Sequence, residues 1–119
     1  MRTIIAGSRS LDSYWFVYEA MADCGWKPTV ILSGRARGID LEGETYSRMH
    51  NIPLEQYPAD WSLGRGAGLM RNKTMADKAE ALVAIWDGQS PGTAHMIKIA
   101  REMNLKVYVM IVDIKRLHY

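Results

Sequence analysis

The sequence predicts an α/β fold, a single three-layer sandwich around a mainly parallel five-stranded sheet. Two observations carry this. Short apolar, β-rich runs alternate along the chain with segments of helical periodicity, the pattern of repeated βαβ units. Four of the five runs are nearly continuous in apolar character, as strands covered on both faces are. A third observation orients the sheet: most of the ten glycines directly follow one of these runs.

The first run covers residues 3–6 and ends at Gly7. A helix is expected over residues 12–24, where Trp15, Phe16, Tyr18 and Ala22 belong to a broad apolar stripe. The second run, residues 29–32, precedes a helix over 40–50 with Leu41, Tyr46 and Met49 on its apolar face and Ala36 and Ile39 leading in. The third run, 53–57, is the one broken by polar residues, and a helix over 67–81 follows with Met70, Met75, Ala76 and Ala79. The fourth run is 82–86. The last helix, 93–103, offers Met96, Ile97, Ala100 and Met103, with Thr93 as its N-cap, before a fifth run at 106–112. There is no internal repeat, linker or low-complexity tract. Residues 1–119 therefore read as a single domain, an open sandwich of Rossmann-like type.

Composition narrows the function classes. The chain is 48% hydrophobic and 24% charged, which excludes a disordered protein. Fifteen Lys and Arg stand against 13 Asp and Glu, and a net charge of +2 is too mild to argue nucleic-acid binding. A lone Cys24 forms no intrachain disulfide and fits a reducing compartment. No apolar stretch has the length of a signal-peptide core or a membrane span, so a cytoplasmic protein is expected. His50, His95 and His118 lack metal-ligand spacing with one another or with Cys24, so no metal and no cofactor is expected. The eight methionines read mostly as core filler, and Trp15, Trp26 and Trp86 as core or interface residues.

The glycines mark the candidate site. Gly7-Ser8-Arg9-Ser10, the stretch from Ser33-Gly34 through Arg37-Gly38 to Asp40, the segment Gly64 to Gly68, and Asp87-Gly88 through Ser90 to Gly92-Thr93 each follow an expected strand. In an open parallel sheet such loops share the carboxyl edge, where these folds bind ligands. Glycine there admits a ligand close to the backbone, and each following helix N-terminus offers free N–H groups to an anion. Six cationic side chains, Arg9, Arg35, Arg37, Arg65, Arg71 and Lys73, fall in or just after these loops. Arginine suits bidentate recognition of phosphate, so the inferred ligand is a phosphorylated small molecule, most naturally a nucleotide. Ser8, Ser33, Ser90 and Thr93 are hydroxyl donors to that ligand or helix caps. Asp40 and Asp87 are acceptors for ribose hydroxyls, with pairing to Arg37 the alternative for Asp40. Asn72 either bonds a base or holds a loop, and Trp61 sits in a long loop beside the site. No nucleophile elbow, Walker A loop or Gly-x-Gly-x-x-Gly fingerprint is present.

Taken together, Thr3-Ile4-Ile5-Ala6-Gly7-Ser8-Arg9, Ser33-Gly34-Arg35-Ala36-Arg37-Gly38-Ile39-Asp40, Pro58-Ala59-Asp60-Trp61, Arg71-Asn72 and Trp86-Asp87-Gly88 through Gly92-Thr93 resemble the YspA-like (YAcAr) branch of the SLOG superfamily. That superfamily includes the Lonely-guy phosphoribohydrolases and the DNA-processing protein A family. The resemblance spans nearly the whole chain in motif order. It implies a Rossmann-like sheet that binds nucleotide-derived ligands at its loop edge, often in phage-encoded or defence-linked proteins. It also implies dimerisation through helices beside the sheet, for which the aromatic first helix is suited. Arg71 matches the family's phosphate-contacting arginine. Lonely-guy enzymes carry Pro-Gly-Gly-x-Gly-Thr-x-x-Glu with a catalytic glutamate, whereas Met96 stands at that position here, and a thioether is no general acid.

Three functions compete. The first is a binding module that senses or sequesters a nucleotide-derived small molecule, with no catalytic residue. The second is an N-glycoside hydrolase acting on nucleoside monophosphates, in which Asp87, Asp40 or Glu44 replaces the missing glutamate. The third and weakest is single-stranded DNA binding, which lacks a basic tract with interleaved aromatics.

Overall fold

Residues 1–113, which a computed structural model describes, form five strands and four helices in alternation. Strand β1 (Arg2–Gly7) leads to helix α1 (Tyr14–Asp23), and β2 (Val30–Ser33) to α2 (Ile39–Met49). Strand β3 (Leu54–Gln56) leads through a 3-10 turn (Trp61–Leu63) to α3 (Ala67–Lys78). Then come β4 (Ala81–Trp86), α4 (Pro91–Glu102) and β5 (Lys106–Ile111). The sheet order is β3-β2-β1-β4-β5, and every neighbouring pair is parallel. The sandwich expected from the sequence is present, with the sheet wholly parallel.

Successive strand residues point to opposite faces, and the core divides accordingly. Ile5, Ile31, Val83 and Ile85 pack with Val17, Ala20 and Met21 of α1 and Ile39 of α2. Ile4, Leu32, Leu82 and Ala84 pack with Met75 and Ala76 of α3 and Met96, Ile97 and Ala100 of α4. The central strands β1 and β4 are almost fully buried. Strand β5, expected to be covered on both faces, is only partly buried because β4 alone lies beside it.

The structure corrects several helix faces. Helix α1 buries Val17, Ala20 and Met21, while Trp15 is 68% exposed, Tyr18 is 48% exposed and Ala22 is also exposed. The helix is apolar almost all round, so its pattern does not define the inward face. Helix α2 buries Ile39, Asp40, Gly43, Glu44 and Ser47, with Leu41 and Met49 turned outward. Its close approach to the sheet is the reason: a Cβ on Gly43 would lie 2.9 Å from Ile5 Cγ2. The small Gly43 is what lets the helix come this close.

Two boundaries also move. Helix α3 stops at Lys78, because Ala79 is already extended and Ala81 pairs with Thr3 in the sheet. Helix α4 starts at Pro91 with Ser90 as N-cap, so Thr93 lies inside the first turn and is buried. Proline's fixed φ and missing N–H suit the first helical position, which moves the start upstream. Met49, Met70 and Met103 are exposed, so methionine is core filler only at positions such as Met21, Met75 and Met96. Among the described residues no helix is long and apolar enough to cross a membrane. His118 lies outside the described residues.

These assignments separate two superficially similar substitutions. Leu82, fully buried in β4, should lose about 2–5 kcal/mol on replacement by Ala. Met49→Ala, on the outward face of α2, should change stability by less than about 0.5 kcal/mol. Urea unfolding of both variants checks this, and a large loss in Met49→Ala would contradict the orientation of α2.

Candidate functional site

A wholly parallel sheet places every strand-to-helix loop on the carboxyl edge. Strand order reverses between β1 and β4, so the loops after these strands run to opposite faces and a crevice opens between them. The crevice is a cleft of about 500 Å³, within the range of small-molecule sites. Gly7, Arg9 and Ser10 line it from the β1 loop, and Ala36, Arg37 and Asp40 from the start of α2. Trp61 and Arg65 come from the β3 loop, Gly68, Leu69, Arg71, Asn72 and Met75 from α3, and Ser90 to Thr93 with Met96 from α4.

Arg71 and Asp40 meet at Gly34. Arg71 Nη1 donates to the Gly34 carbonyl and, at 3.4 Å, to that of Tyr57. Its Nε donates to Asn72 Oδ1 at 3.0 Å. The guanidinium thus ties the β2 loop to the β3 loop while still lining the cleft. Burial pulls its pKa down against the opposing charge of Asp40, and the Arg9 charge pulls it down further. Asp40 is buried, and its Oδ2 accepts from the Ala36 amide at 3.2 Å. Burial pushes its pKa up to about 6, although the Ala36 amide, the Arg71 charge, the Gly7 amide and the Arg9 charge all pull it down. Arg37 forms no ion pair with Asp40 among the described residues. A Cβ on Gly34 would fall 2.7 Å from Arg71 Nη1 and 2.9 Å from Asp40 Oδ2, so any other residue there would push these groups from their present places.

Six of the sequence-derived candidates (Ser8, Ser33, Gly34, Gly38, Asp87 and Gly88) do not line the cleft but shape its loops. Asp87 Oδ1 accepts from the Ser90 and Gln89 amides at 2.8 and 2.9 Å, and its Oδ2 accepts from the Ser90 hydroxyl at 2.9 Å. Burial raises its pKa, but these hydrogen bonds outweigh that and hold it at about 2. An aspartate folded onto its own loop in this way is a turn-former, not a free ribose acceptor. The buried Ser8 accepts from the Asp87 amide at 3.0 Å, joining the β1 and β4 loops. Ser33 Oγ donates to the Asp40 carbonyl and accepts from the Arg35 amide. Gly38 has φ +84, and a Cβ there would lie 2.6 Å from the Ser8 carbonyl oxygen, so the β1 and β2 loops touch through it. Gly88, at φ +81, turns the β4 loop with open space around it.

The other nine candidates (Gly7, Arg9, Arg37, Asp40, Arg71, Asn72, Ser90, Gly92 and Thr93) meet at the cleft. Asn72 takes the loop-holding role: its Nδ2 lies 3.3 Å from the Gly92 carbonyl, to which it donates, and 3.3 Å from His95 Nδ1. Gly92 sits in the first turn of α4, and a Cβ there would touch nothing within 4 Å, so its backbone faces free space. Met96 is buried at the cleft wall. Of the six expected cations, Arg9, Arg37, Arg65 and Arg71 line the cleft, and among the described residues Asp40 is its one acid. Arg35 instead pairs with the buried Glu44 at 2.7 Å, and neither they nor Lys73 line it. Leu69, Met75 and Pro91 join the lining without any sequence signal, because apolar residues on a helix look like core. Among the described residues no three His, Cys, Asp or Glu side chains cluster as metal ligands.

No protein-family model matches the chain, and neither a curated protein nor a solved structure gives a significant match.

Asp40 makes stability depend on pH. Its folded pKa of about 6 lies above its ordinary value of 3.8, so the native state holds a proton that the unfolded chain has released between these values. Stability should therefore fall as pH rises from about 4 to 6 and level off above, a loss of about 3 kcal/mol from this group. Asp40→Asn removes the titration and should flatten that part of the curve. Denaturant unfolding across the pH series measures it, and an unchanged slope in Asp40→Asn would contradict the burial of this carboxylate.

Proposed function

We propose that the cleft binds a phosphorylated, nucleotide-derived small molecule and that the protein serves as a sensor or sequestering module for it. The observation that carries this reading is four arginines against one carboxylate in a cleft that also receives the first turn of α4. Free N–H groups at a helix N-terminus with an unobstructed glycine donate to a phosphate oxygen, and guanidinium groups supply charge-assisted hydrogen bonds. The motif resemblance to YspA-like proteins points the same way, and the family assignment itself is part of this proposal. We further propose a homodimer built on α1, whose Trp15 and Tyr18 side chains are exposed. Light scattering tests it.

One observation favours a second reading, hydrolysis of an N-glycosidic bond. Asp40 lines the cleft with a pKa of about 6, in the window of a general acid or base at neutral pH. Asp87 and Glu44, the other candidate acids, lie outside the lining. In this reading the protonated Asp40 gives its proton to the leaving base as the C–N bond breaks, water forms the new C–O bond at the anomeric carbon, and the Asp40 carboxylate takes up the proton that water loses.

Calorimetry with adenosine 5′-monophosphate tests binding, and chromatography of the same mixture tests turnover. Arg71→Ala should weaken affinity about 10- to 100-fold, and Gly92→Val should abolish binding while the fold survives. Unaltered affinity in both variants would end the anion-cleft reading. Free adenine released by wild type but not by Asp40→Asn would replace the binding module with the hydrolase.

A further inference from the structure

We infer that Trp61 is the seat of the ligand's base, so that the cleft selects a nucleoside phosphate over a sugar phosphate. The inference rests on the cleft being an anion site, and adds what that reading leaves open. Trp61 lines the cleft yet is 58% exposed. Its backbone is held on both sides. Asp60 Oδ1 accepts from the Ser62 amide at 3.1 Å, and the Gly64 amide donates to the Trp61 carbonyl at 3.1 Å, closing the 3-10 turn. The indole rests by its six-membered ring against the first turn of α3, where a Cβ on Gly68 would lie 3.4 Å from Cη2. Glycine at this position lets the ring edge come close to the helix, and more than half of the side chain stays open to solvent.

A phosphate alone uses none of this. The arginines and the α4 amides satisfy an anion, whereas an exposed indole at their rim, beside the 47% exposed Leu69, offers only apolar and π surface. A nucleoside phosphate has both halves: a planar heteroaromatic ring that stacks on tryptophan and an anion for the arginines. Stacking tolerates different bases because every base has a π-face, so the platform selects for a base without specifying which one.

The test titrates adenosine 5′-monophosphate, cytidine 5′-monophosphate and ribose 5-phosphate into wild type, Trp61→Ala and Trp61→Phe by calorimetry, with tryptophan emission followed in parallel. Wild type should bind both nucleotides more tightly than ribose 5-phosphate. Trp61→Ala should weaken the nucleotides about 5- to 150-fold and leave ribose 5-phosphate within about twofold. Trp61→Phe should recover most of the loss, and nucleotide-dependent quenching should disappear in it. Equal binding of all three probes to wild type, or an equal loss of all three in Trp61→Ala, would overturn the stacking role while leaving the anion cleft standing. Failure of every probe to bind wild type would overturn both.

Discussion

The buried meeting of Asp40 and Arg71 at Gly34 is the constraint on which the rest of the site depends. Three segments converge there: the first turn of α2, the loop after β2 and the second turn of α3. Asp40 is buried and Arg71 half-buried, and burial pushes the aspartate's pKa up and the arginine's down. Each keeps partial compensation from the other's charge and from backbone groups, the Ala36 amide for Asp40 and the Gly34 and Tyr57 carbonyls for Arg71. The two groups form no direct ion pair, so the other's charge reaches each one only through space. The effect of their meeting is to fix loop positions, and the cleft inherits its shape from it.

The fold was legible because its strands are short, apolar and evenly spaced, and the sheet geometry follows from that alternation. Helix orientation was not. Helix α1 is apolar on nearly every side, and α2 turns Asp40, Glu44 and Ser47 inward where a hydrophobic rule would place Leu41 and Met49. The inversion in α2 has a physical origin in the close contact at Gly43, which depends on three-dimensional distance and leaves no periodic trace. The same limit applies at the site. Serine, aspartate and glycine are chosen both by turns and by ligands, so Ser8, Ser33 and Asp87 looked like binding residues although their hydrogen bonds run to the loops themselves. Arginine discriminated better, since few buried partners compete for it, and four of the five arginines in these loops line the cleft.

Division of labour within the cleft follows from the switch in strand order. The β1 and α2 side supplies Arg9, Arg37 and Asp40, whereas α3 and α4 bring Arg71 together with the apolar Leu69, Met75 and Met96. An amphipathic cleft of this kind matches a ligand that is itself part anion and part apolar plate. Met96 belongs to the apolar wall, tied by packing to the α3–α4 core, which is why a carboxylate at that point would face desolvation as well as ligand repulsion.

The wholly parallel sheet has a consequence for how the chain assembles. No two neighbouring strands can close through a tight hairpin, so each pairing waits for an intervening helix to be made and docked. The first three strands can gather with α1 and α2 as the chain emerges during synthesis. Strand β4 arrives much later, and Thr3 finds Ala81 only after α1, β2, α2, β3 and α3 have all been made. Until then the other face of β1, with Ile4 and Leu32 beside it, has no α3 or α4 over it and no neighbour along its free edge. Long-range pairings of this kind slow the final step, and the half-sheet that precedes it is the species most exposed to self-association.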